Sequence, residues 1–391
     1  MIHLFLNAMA ASAGAGLTYV RNVLPGLASR SDVYATVALD GRLRSEFGEY
    51  SNVTFLECVT TGAARRFWQE QRLLPGMIRT AQADVLVSAG NFALRNSPVP
   101  QILLSGNSLY TSEDFNRDLL SRRAYGLWLD THIRAVFAKR SVAWADITVA
   151  PSRAFADTLS QWTGRRVEAI YHGFDREAFL RDDSPLPPHV QQTLTEARGT
   201  LKLLFVSHYN YYRNFETLLR VLPLLRQHRP VRLLLTCKLQ PGANPGSYRT
   251  EAAARLVREL GIREEVIELG AIPYHRLAQV YREADVYVTP AYAETFAHPL
   301  VEAMASGLPI VAADTPVHRE VCGESALYFP AFSPESAANR ILELAASPPL
   351  RDQLLAAGAA RWRDFSWTKH VEQILECAAF LIRETRAKSP S

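Results

Sequence analysis

The chain has 391 residues, more than a single hydrophobic core usually supports, so we expect two domains. Hydrophobic residues account for 48% and charged residues for 21%, as is ordinary in a soluble globular protein. The formal net charge of +4 is too small to indicate nucleic-acid binding, and we expect no nucleic-acid partner.

The cysteines and the first residues indicate the cellular setting. Cys58, Cys237, Cys322 and Cys377 are scattered, with no C-x-x-C, which predicts reduced thiols in a cytoplasmic protein rather than a disulfide or zinc framework. The apolar N-terminus has no Lys or Arg before Arg21, so it predicts a buried first strand instead of a secretory signal. No apolar run reaches 18 residues, so no membrane-spanning helix is expected.

Short apolar runs alternate with amphipathic stretches along the whole chain, which is typical of βα units around parallel sheets. The first half predicts seven strands, at 2–6, 33–39, 53–59, 84–88, 101–105, 146–150 and 167–171. The second half predicts six, at 201–207, 231–237, 266–270, 285–290, 309–313 and 326–329. The predicted fold class is therefore α/β, with two Rossmann-like doubly wound domains.

A Pro- and Asp-rich segment, RDDSPLPPH at 181–189, separates the two series of strands. Proline removes backbone donors and biases its neighbours away from helix, so we predict a linker here. The predicted domains cover 1–180 and 190–367. Ligands of doubly wound sheets bind outside the carboxyl ends of the strands, so the loops at those ends are the candidates for function.

Residues 294–314, ETFAHPLVEAMASGLPIVAAD, place two glutamates eight positions apart. Glu294 follows the strand at 285–290, and Glu302 lies in a helix that Pro299 begins and Gly307 ends. The free N–H groups before and at the helix start would form an anion-seeking pocket, from Thr295, Phe296 and Ala297. Carboxylates accept hydrogen bonds from paired sugar hydroxyls. The alternative is that Glu302 only complements the helix dipole and Glu294 is a solvated loop residue.

The string E-x-F-x-x-P-x-x-E-A-M-A-x-G-x-P-[IV]-V-A, preceded by ADVYVTP and followed by GESALYF, resembles the signature of retaining glycosyltransferases of family four. Further segments are similar to that family, at 167–175, 205–222, 266–290 and 365–367. The resemblance implies the GT-B fold, in which two Rossmann-like domains face a central cleft and a last helix, here about 368–388, packs back on the first domain. It also implies transfer of a sugar from a nucleotide-diphosphate donor to a saccharide, lipid-linked or small-molecule acceptor.

The same resemblance suggests roles for individual residues. Glu302 would bind the ribose hydroxyls, and Glu294 with the Phe296 and Ala297 amides would hold the donor sugar. The family's Arg-then-Lys pair falls on His208 and Arg213, so that only the second position keeps a permanent cation. Ile272 lies in the stretch that resembles the base-binding segment and is our candidate for backbone contact with the base.

Diphosphate charge must be stabilised, and the chain contains no Asp-x-Asp metal motif. We therefore expect no metal and no cofactor, with basic side chains and backbone N–H groups meeting the phosphates. Arg213 is the leading candidate because a guanidinium can grip phosphate oxygens in a fork, each charged bond contributing about 1.5–3 kcal/mol. The alternative is a solvated arginine at a helix start.

The glycines of SAGAGLTYVRN open a helix directly after the first strand and allow close approach of a phosphate or sugar. Of Gly14 and Gly16, the second better matches the family's Gly-Gly. A dinucleotide fingerprint would need glycine where Tyr19 stands, but Asp40 would suit a ribose contact. A nicotinamide-dependent dehydrogenase therefore remains an alternative.

The acceptor side centres on SGNSLY at 105–110, where many family members have a histidine and this chain has Asn107. Asparagine cannot act as a base but can orient a hydroxyl. That fits the front-face mechanism proposed for the family, in which the departing phosphate oxygen takes the acceptor proton. The alternative is that Gly106-Asn107 only makes a turn.

Two basic stretches, 63–79 and 117–140, carry interleaved aromatic residues, namely Phe67, Trp68, Trp128 and Phe137. Such a face in the N-terminal domain predicts peripheral contact with the inner face of a membrane, or else aromatic side chains in the core beside solvated arginines. A GT-B sugar-nucleotide epimerase also remains open. So does a non-catalytic sugar-nucleotide binder, because Asn107 and His208 depart from the family pattern.

Overall fold

The computed structural model describes residues 1–11, 14–59, 62–182, 184–240, 242 and 248–388. The chain forms two compact units. The first unit comprises Met1–Thr111, Leu129–Gly173 and the chain from Ser366 onward, and the second comprises Ser112–Trp128 and Phe174–Phe365. None of the described helices is both long enough and apolar enough to cross a membrane.

The first unit is built on a seven-stranded parallel sheet of order β3-β2-β1-β4-β5-β6-β7. Its strands are β1 Ile2–Asn7, β2 Val33–Asp40, β3 Val53–Cys58, β4 Val85–Ser88, β5 Gln101–Leu104, β6 Ile147–Ala150 and β7 Glu168–Ala169. Its helices are α1 Gly14–Ala28, α2 Ala63–Ala81, α4 Tyr125–Trp144 from Leu129 onward, α5 Arg153–Thr163 and α15 Trp367–Lys388.

Both faces of this sheet are covered, as a parallel sheet requires. On one face, α1 and α15 pack together over β1 and β2, with Leu24, Val371 and Ile374 in one buried cluster. On the other face, Leu74 and Ile78 of α2 pack against Phe5. The last helix is thus an integral part of the first unit, although it follows the whole second unit in sequence.

Gly173 marks a place where two backbone segments of the first unit touch. A Cβ atom on Gly173 would lie 2.0 Å from the Trp367 backbone nitrogen. Next to it, His172 stacks on Trp367 with ring centroids 5.4 Å apart, so aromatic packing joins the same two segments.

We predict that Gly173→Ala lowers the free energy of unfolding by about 3 kcal/mol or more, because backbone rather than a flexible side chain must move. Urea unfolding monitored by tryptophan fluorescence measures this. The matched control is Gly48→Ala, since a Cβ at Gly48 meets nothing within 4 Å. Equal stability of the two variants would contradict the prediction.

The second unit repeats the plan with a six-stranded parallel sheet of order β10-β9-β8-β11-β12-β13. Its strands are β8 Leu201–Phe205, β9 Val231–Leu235, β10 Val266–Glu268, β11 Val286–Thr289, β12 Ile310–Ala313 and β13 Ala326–Phe329. Its helices are α3 Glu113–Ser121, α6 Arg176–Leu180, α7 Pro188–Glu196, α8 Phe215–Arg226, α9 Glu251–Glu259, α10 Tyr274–Glu283, α11 His298–Ala305, α12 Pro316–Cys322, α13 Pro334–Ala346 and α14 Pro348–Arg361.

All thirteen predicted strands are strands in the structure, and the predicted α/β doubly wound class is confirmed. The four cysteines are free. The course of the chain differs from a simple division at 181–189, because it passes between the units near residues 111, 128, 173 and 365. Part of the predicted linker is bonded to the second unit, because Gln279 donates hydrogen bonds to the carbonyls of Asp182 and Ser184.

Candidate functional site

The second sheet has its topological switch point between β8 and β11. From β8 the strand order runs back through β9 and β10, and from β11 it runs on through β12 and β13. Helices that follow these two strands therefore lie on opposite faces, so the loops after them diverge and leave room for a ligand. The loop after β8 carries His208 and Arg213, and the loop after β11 carries Glu294.

Arg213 and Glu294 form an ion pair between these two loops, with Arg213 Nη1 donating to Glu294 Oε1. The Arg213 side chain is 19% exposed and that of Glu294 is 10% exposed. Arg213 also lies over the Tyr212 ring, 5.1 Å from its centroid, and its buried Nε has no hydrogen-bond partner. A largely buried guanidinium that still has an N–H group without a partner is suited to an anionic ligand.

Asn214 fixes the loop that carries Arg213. Its backbone is left-handed, with φ 55° and ψ 47°, and this separates the short turn Tyr211–Arg213 from helix α8. Its buried side chain donates to the carbonyls of Pro290, at 3.2 Å, and Ala331, at 2.7 Å. The β8 loop is therefore bonded to the start of the loop that carries Glu294.

The segment after Glu294 is held rigidly ahead of helix α11. Phe296 is buried and packs edge-on against Phe365, with ring centroids 5.1 Å apart. Ala297 has φ 62° and ψ 62°, a conformation that costs free energy for a residue with a Cβ. Strain of this kind is common at ligand-binding sites. Thr295, Phe296 and Ala297 lie in this turn, and contact of their backbone N–H groups with a ligand stays a prediction.

Helix α11 differs at both ends from the prediction. It begins at His298, so Pro299 is its second residue rather than its first, and it ends at Ala305, before Gly307. The proline fits because every N–H of the first turn lacks an intrahelical partner.

Glu302 is buried in α11, with 4% of its surface exposed. Tyr281 of α10 donates its O–H to Glu302 Oε2 at 2.8 Å, and Tyr274 also hydrogen-bonds this carboxyl group. Burial raises the pKa of Glu302 to about 7, while the two tyrosines oppose that rise. A glutamate that only complemented a helix dipole would be solvated in the first turn, so the structure does not fit that alternative.

Two histidines near these loops are neutral at pH 7. Burial lowers the pKa of His298 and of His318 to about 4. His318 donates from Nδ1 to the Ala313 carbonyl at 2.8 Å, and its buried Nε2 has no hydrogen-bond partner. Neither histidine supplies positive charge for a phosphate.

The other predicted residues of the second unit lie in loops at the same sheet edge. His208 is exposed, three residues beyond the end of β8. Ile272 is half-buried between β10 and α10, after the outermost strand. Their contacts with a ligand stay predictions.

Gly16 and Asn107 belong to the first unit. A Cβ on Gly16 would lie 3.2 Å from the Ala11 Cα, so the glycine allows helix α1 to approach the backbone at Ala11, after β1, closely. Asn107 caps the turn Ser108–Tyr110, its Oδ1 accepting from the Leu109 N–H at 3.0 Å. This geometry agrees with the alternative that Gly106-Asn107 makes a turn. Contact of Asn107 with the substrate that receives the sugar stays a prediction.

Solved structures share this fold. Sucrose-phosphate synthase from Thermosynechococcus elongatus superposes with a TM-score of 0.74 at 17% identity, covering 100% of both chains. HepE of Anabaena, solved in complex with UDP-glucose, gives 0.73 at 17% identity, covering 97% of this chain and 100% of that one. The chain therefore has the GT-B fold of glycosyltransferases, as the sequence predicted.

Residues 190–361, all within the second unit, match the family model described as glycosyl transferases group 1. The D-inositol 3-phosphate glycosyltransferase of Nocardia farcinica is 32% identical over 184 residues, 46% of this chain and 40% of that protein. The corresponding enzyme of Thermomonospora curvata is 29% identical over 259 residues, which are 62% of this chain and 59% of that protein. Its second unit is therefore similar to glycosyl transferases group 1, and the chain spans about half the length of the curated relatives it matches. These matches support a glycosyltransferase and not the nicotinamide-dependent dehydrogenase.

Proposed function

We propose that the chain transfers a sugar, with retention of anomeric configuration, from a nucleotide-diphosphate sugar to a hydroxyl of a saccharide, lipid-linked or small-molecule acceptor. The observation that carries the proposal is the Arg213–Glu294 ion pair at the switch point of the second sheet. This pair lies within the segment that matches glycosyl transferases group 1.

The pair suggests how the donor binds. The diphosphate competes with Glu294 for the Arg213 guanidinium, which can offer two parallel N–H groups to phosphate oxygens. Glu294, released from Arg213, accepts hydrogen bonds from the donor sugar together with the amides of the strained turn at Phe296 and Ala297. Glu302 accepts from the ribose hydroxyls, and His208, Ile272 and the Gly16 amide make the remaining donor contacts.

The chemistry proceeds on one face of the donor sugar. The bond between the anomeric carbon and the phosphate oxygen breaks as the acceptor oxygen bonds to the same face, and the departing phosphate oxygen takes the acceptor proton. Arg213 stabilises the negative charge that develops on the nucleoside diphosphate. Asn107 orients the acceptor hydroxyl, and neither a side-chain base nor a metal ion is required.

A thermal-shift screen with UDP-, GDP-, ADP- and TDP-sugars tests donor binding. UDP-glucose comes first because HepE was solved with it. Transfer is then measured with an excess of chelator, on an acceptor panel that includes a phosphorylated cyclitol because of the inositol phosphate glycosyltransferases. We expect turnover in chelator and an axial or equatorial linkage that matches the donor. Isomerisation of the donor alone would indicate an epimerase, and binding without turnover a non-catalytic binder.

We further propose a cytoplasmic location with peripheral membrane contact through the first unit. On α2, Arg65, Trp68 and Arg72 share one exposed face, and Trp68 is 60% exposed. On α4, Leu129, Ile133 and Val136 form an exposed apolar stripe at helical spacing. The two helices touch through Phe67 and Phe137, whose ring centroids are 5.2 Å apart, so these two aromatics are packed while Trp68 faces solvent. A basic face with exposed Trp and aliphatic side chains suits an anionic lipid surface.

Flotation with vesicles of mixed anionic and zwitterionic phospholipid at low salt tests this contact. We expect the wild type to float and Trp68→Ser with Arg65→Gln and Arg72→Gln to remain in solution. Phe380→Ser, which removes an exposed aromatic ring from α15 of the same unit, is the control and should float. A wild-type protein that stays in solution would rule the contact out.

A further inference from the structure

Helix α3 comes from the first half of the sequence but belongs to the second unit, within the segment Ser112–Trp128. Ser112 caps it by accepting from the Phe115 N–H at 3.1 Å. Phe115 is buried and meets Tyr212, the residue before Arg213, edge-on at 6.2 Å between ring centroids. The helix therefore packs directly on the loop that carries Arg213.

Arg122, the C-cap residue directly after α3, joins this helix to the start of α8, where the same loop ends. Its Nε donates to Asp118 Oδ1 at 2.7 Å and its Nη1 donates to Glu216 Oε1, in the first turn of α8, at 2.8 Å. Its guanidinium lies 4.3 Å from the centre of the Tyr211 ring. The three charged side chains are only 14 to 20% exposed, so solvent screens them little.

Asp118 extends the connection to the second loop. Its other oxygen, Oδ2, accepts the Tyr292 O–H at 2.8 Å. Tyr292 precedes Glu294 by two residues, and its backbone N–H donates to the Tyr212 carbonyl at 3.1 Å. One aspartate on α3 is thus bonded, directly or through Arg122, to both loops of the candidate donor site.

Electrostatics make this cluster interdependent. Burial raises the pKa of Asp118 and is opposed by Arg122, while Arg122 keeps a raised pKa because its ion pairs with Glu216 and Asp118 outweigh its burial. Removing the arginine would leave two carboxylates close together in a partly shielded place, and they would repel each other.

We propose that Asp118 and Arg122 are positioning residues of the donor site, which set the separation of the loops that present Arg213 and Glu294. The inference rests on the proposed function for its kinetic consequence, but the geometry itself concerns only the two loops. Donor affinity is higher when the binding groups are already held in the bound arrangement, so loosening the loops weakens donor binding without removing any group that touches the donor.

The test compares Arg122→Met with Arg117→Met. Arg117 is on the same helix and pairs with Asp114 at the surface, where its side chain is 73% exposed. We expect Arg122→Met to raise the donor KM about tenfold or more while the acceptor KM stays constant, and Arg117→Met to change neither. Arg122→Lys, which keeps the charge but not the fork, should fall between. A merely structural role would lower the melting temperature and leave the donor KM unchanged.

Hydrogen–deuterium exchange of the full chain gives a second readout that needs no donor. In Arg122→Met, we expect faster exchange at 206–214 and 290–297 and unchanged exchange in the β12–β13 region. Unchanged exchange in both loops would overturn the inference even if no sugar nucleotide binds. A wild type that binds no sugar nucleotide while these loops do loosen would overturn the proposed function alone. Should Arg122→Met not fold, Tyr292→Phe removes the single hydroxyl bond to Asp118 and is read in the same two ways.

Discussion

Glu294→Gln should lower kcat about 10²- to 10³-fold while free nucleoside diphosphate binds as tightly as to the wild type or more tightly. The two effects differ in sign because Glu294 has two proposed partners. It holds the donor sugar during transfer, but it also occupies Arg213, the group that would receive the phosphates. A neutral amide competes less strongly for the guanidinium, so the affinity for nucleoside diphosphate is kept or rises while the rate of sugar transfer falls.

Steady-state kinetics with the best donor and calorimetric titration with the corresponding nucleoside diphosphate measure the two effects. Glu294→Asp is the matched variant, since it keeps the charge and shortens the reach. We expect it to retain more activity than Glu294→Gln and to bind nucleoside diphosphate like the wild type. Turnover of Glu294→Gln within twofold of wild type would show that the donor-site assignment is wrong.

Glu302→Gln should stabilise the protein while it weakens donor binding. Burial raises the pKa of Glu302 from 4.5 to about 7, so between these values the folded state holds a proton that the unfolded state has lost. The stability of the wild type therefore falls as pH rises through this window, in total by about 3 kcal/mol. Glutamine carries no charge to bury, so the variant gains most above pH 7 and nothing below about pH 4.5.

The same substitution removes a charged acceptor for the ribose hydroxyls, so the donor KM should rise about 10- to 100-fold at pH 8. In the wild type, donor affinity should fall as pH drops below 7, since the protonated carboxyl group is a poorer acceptor. In Glu302→Gln this pH dependence should be absent.

Thermal melts and donor KM values across pH 5 to 8.5 check both halves of the prediction. Tyr281→Phe is an informative companion, because it deletes the 2.8 Å bond to Glu302 and should move the pH midpoint of donor binding upward. Glu259→Gln, at an exposed ion pair, is the control and should change neither stability nor KM. A wild-type donor KM that is flat across this pH range would contradict the role given to Glu302.

The sequence predicted the positions of the candidate site residues but not the contacts that fix them. Arg213, Glu294 and the turn at Phe296–Ala297 follow strands whose apolar runs are unmistakable, so their place at one sheet edge could be deduced. The hydrogen bonds that fix these loops could not be deduced, because Asn214 bonds Ala331 across 117 positions and Tyr292 bonds Asp118 across 174. No local pattern records a partner at that distance. Tyr281 was missed for the same reason, since in sequence it is one more apolar position on an amphipathic helix.

By itself the sequence determined the thirteen strands, the two doubly wound sheets and the positions of the loops at their carboxyl ends, because hydrophobic periodicity and turn residues act over a few neighbouring positions. Only the tertiary structure decided that α3 joins the second unit, whereas the return of the last helix to the first unit was already implied by the family resemblance. The tertiary structure also decided that Glu302 is dehydrated and that Arg213 pairs with Glu294. Burial and long-range pairing depend on how distant segments pack, which the local pattern of residues does not specify.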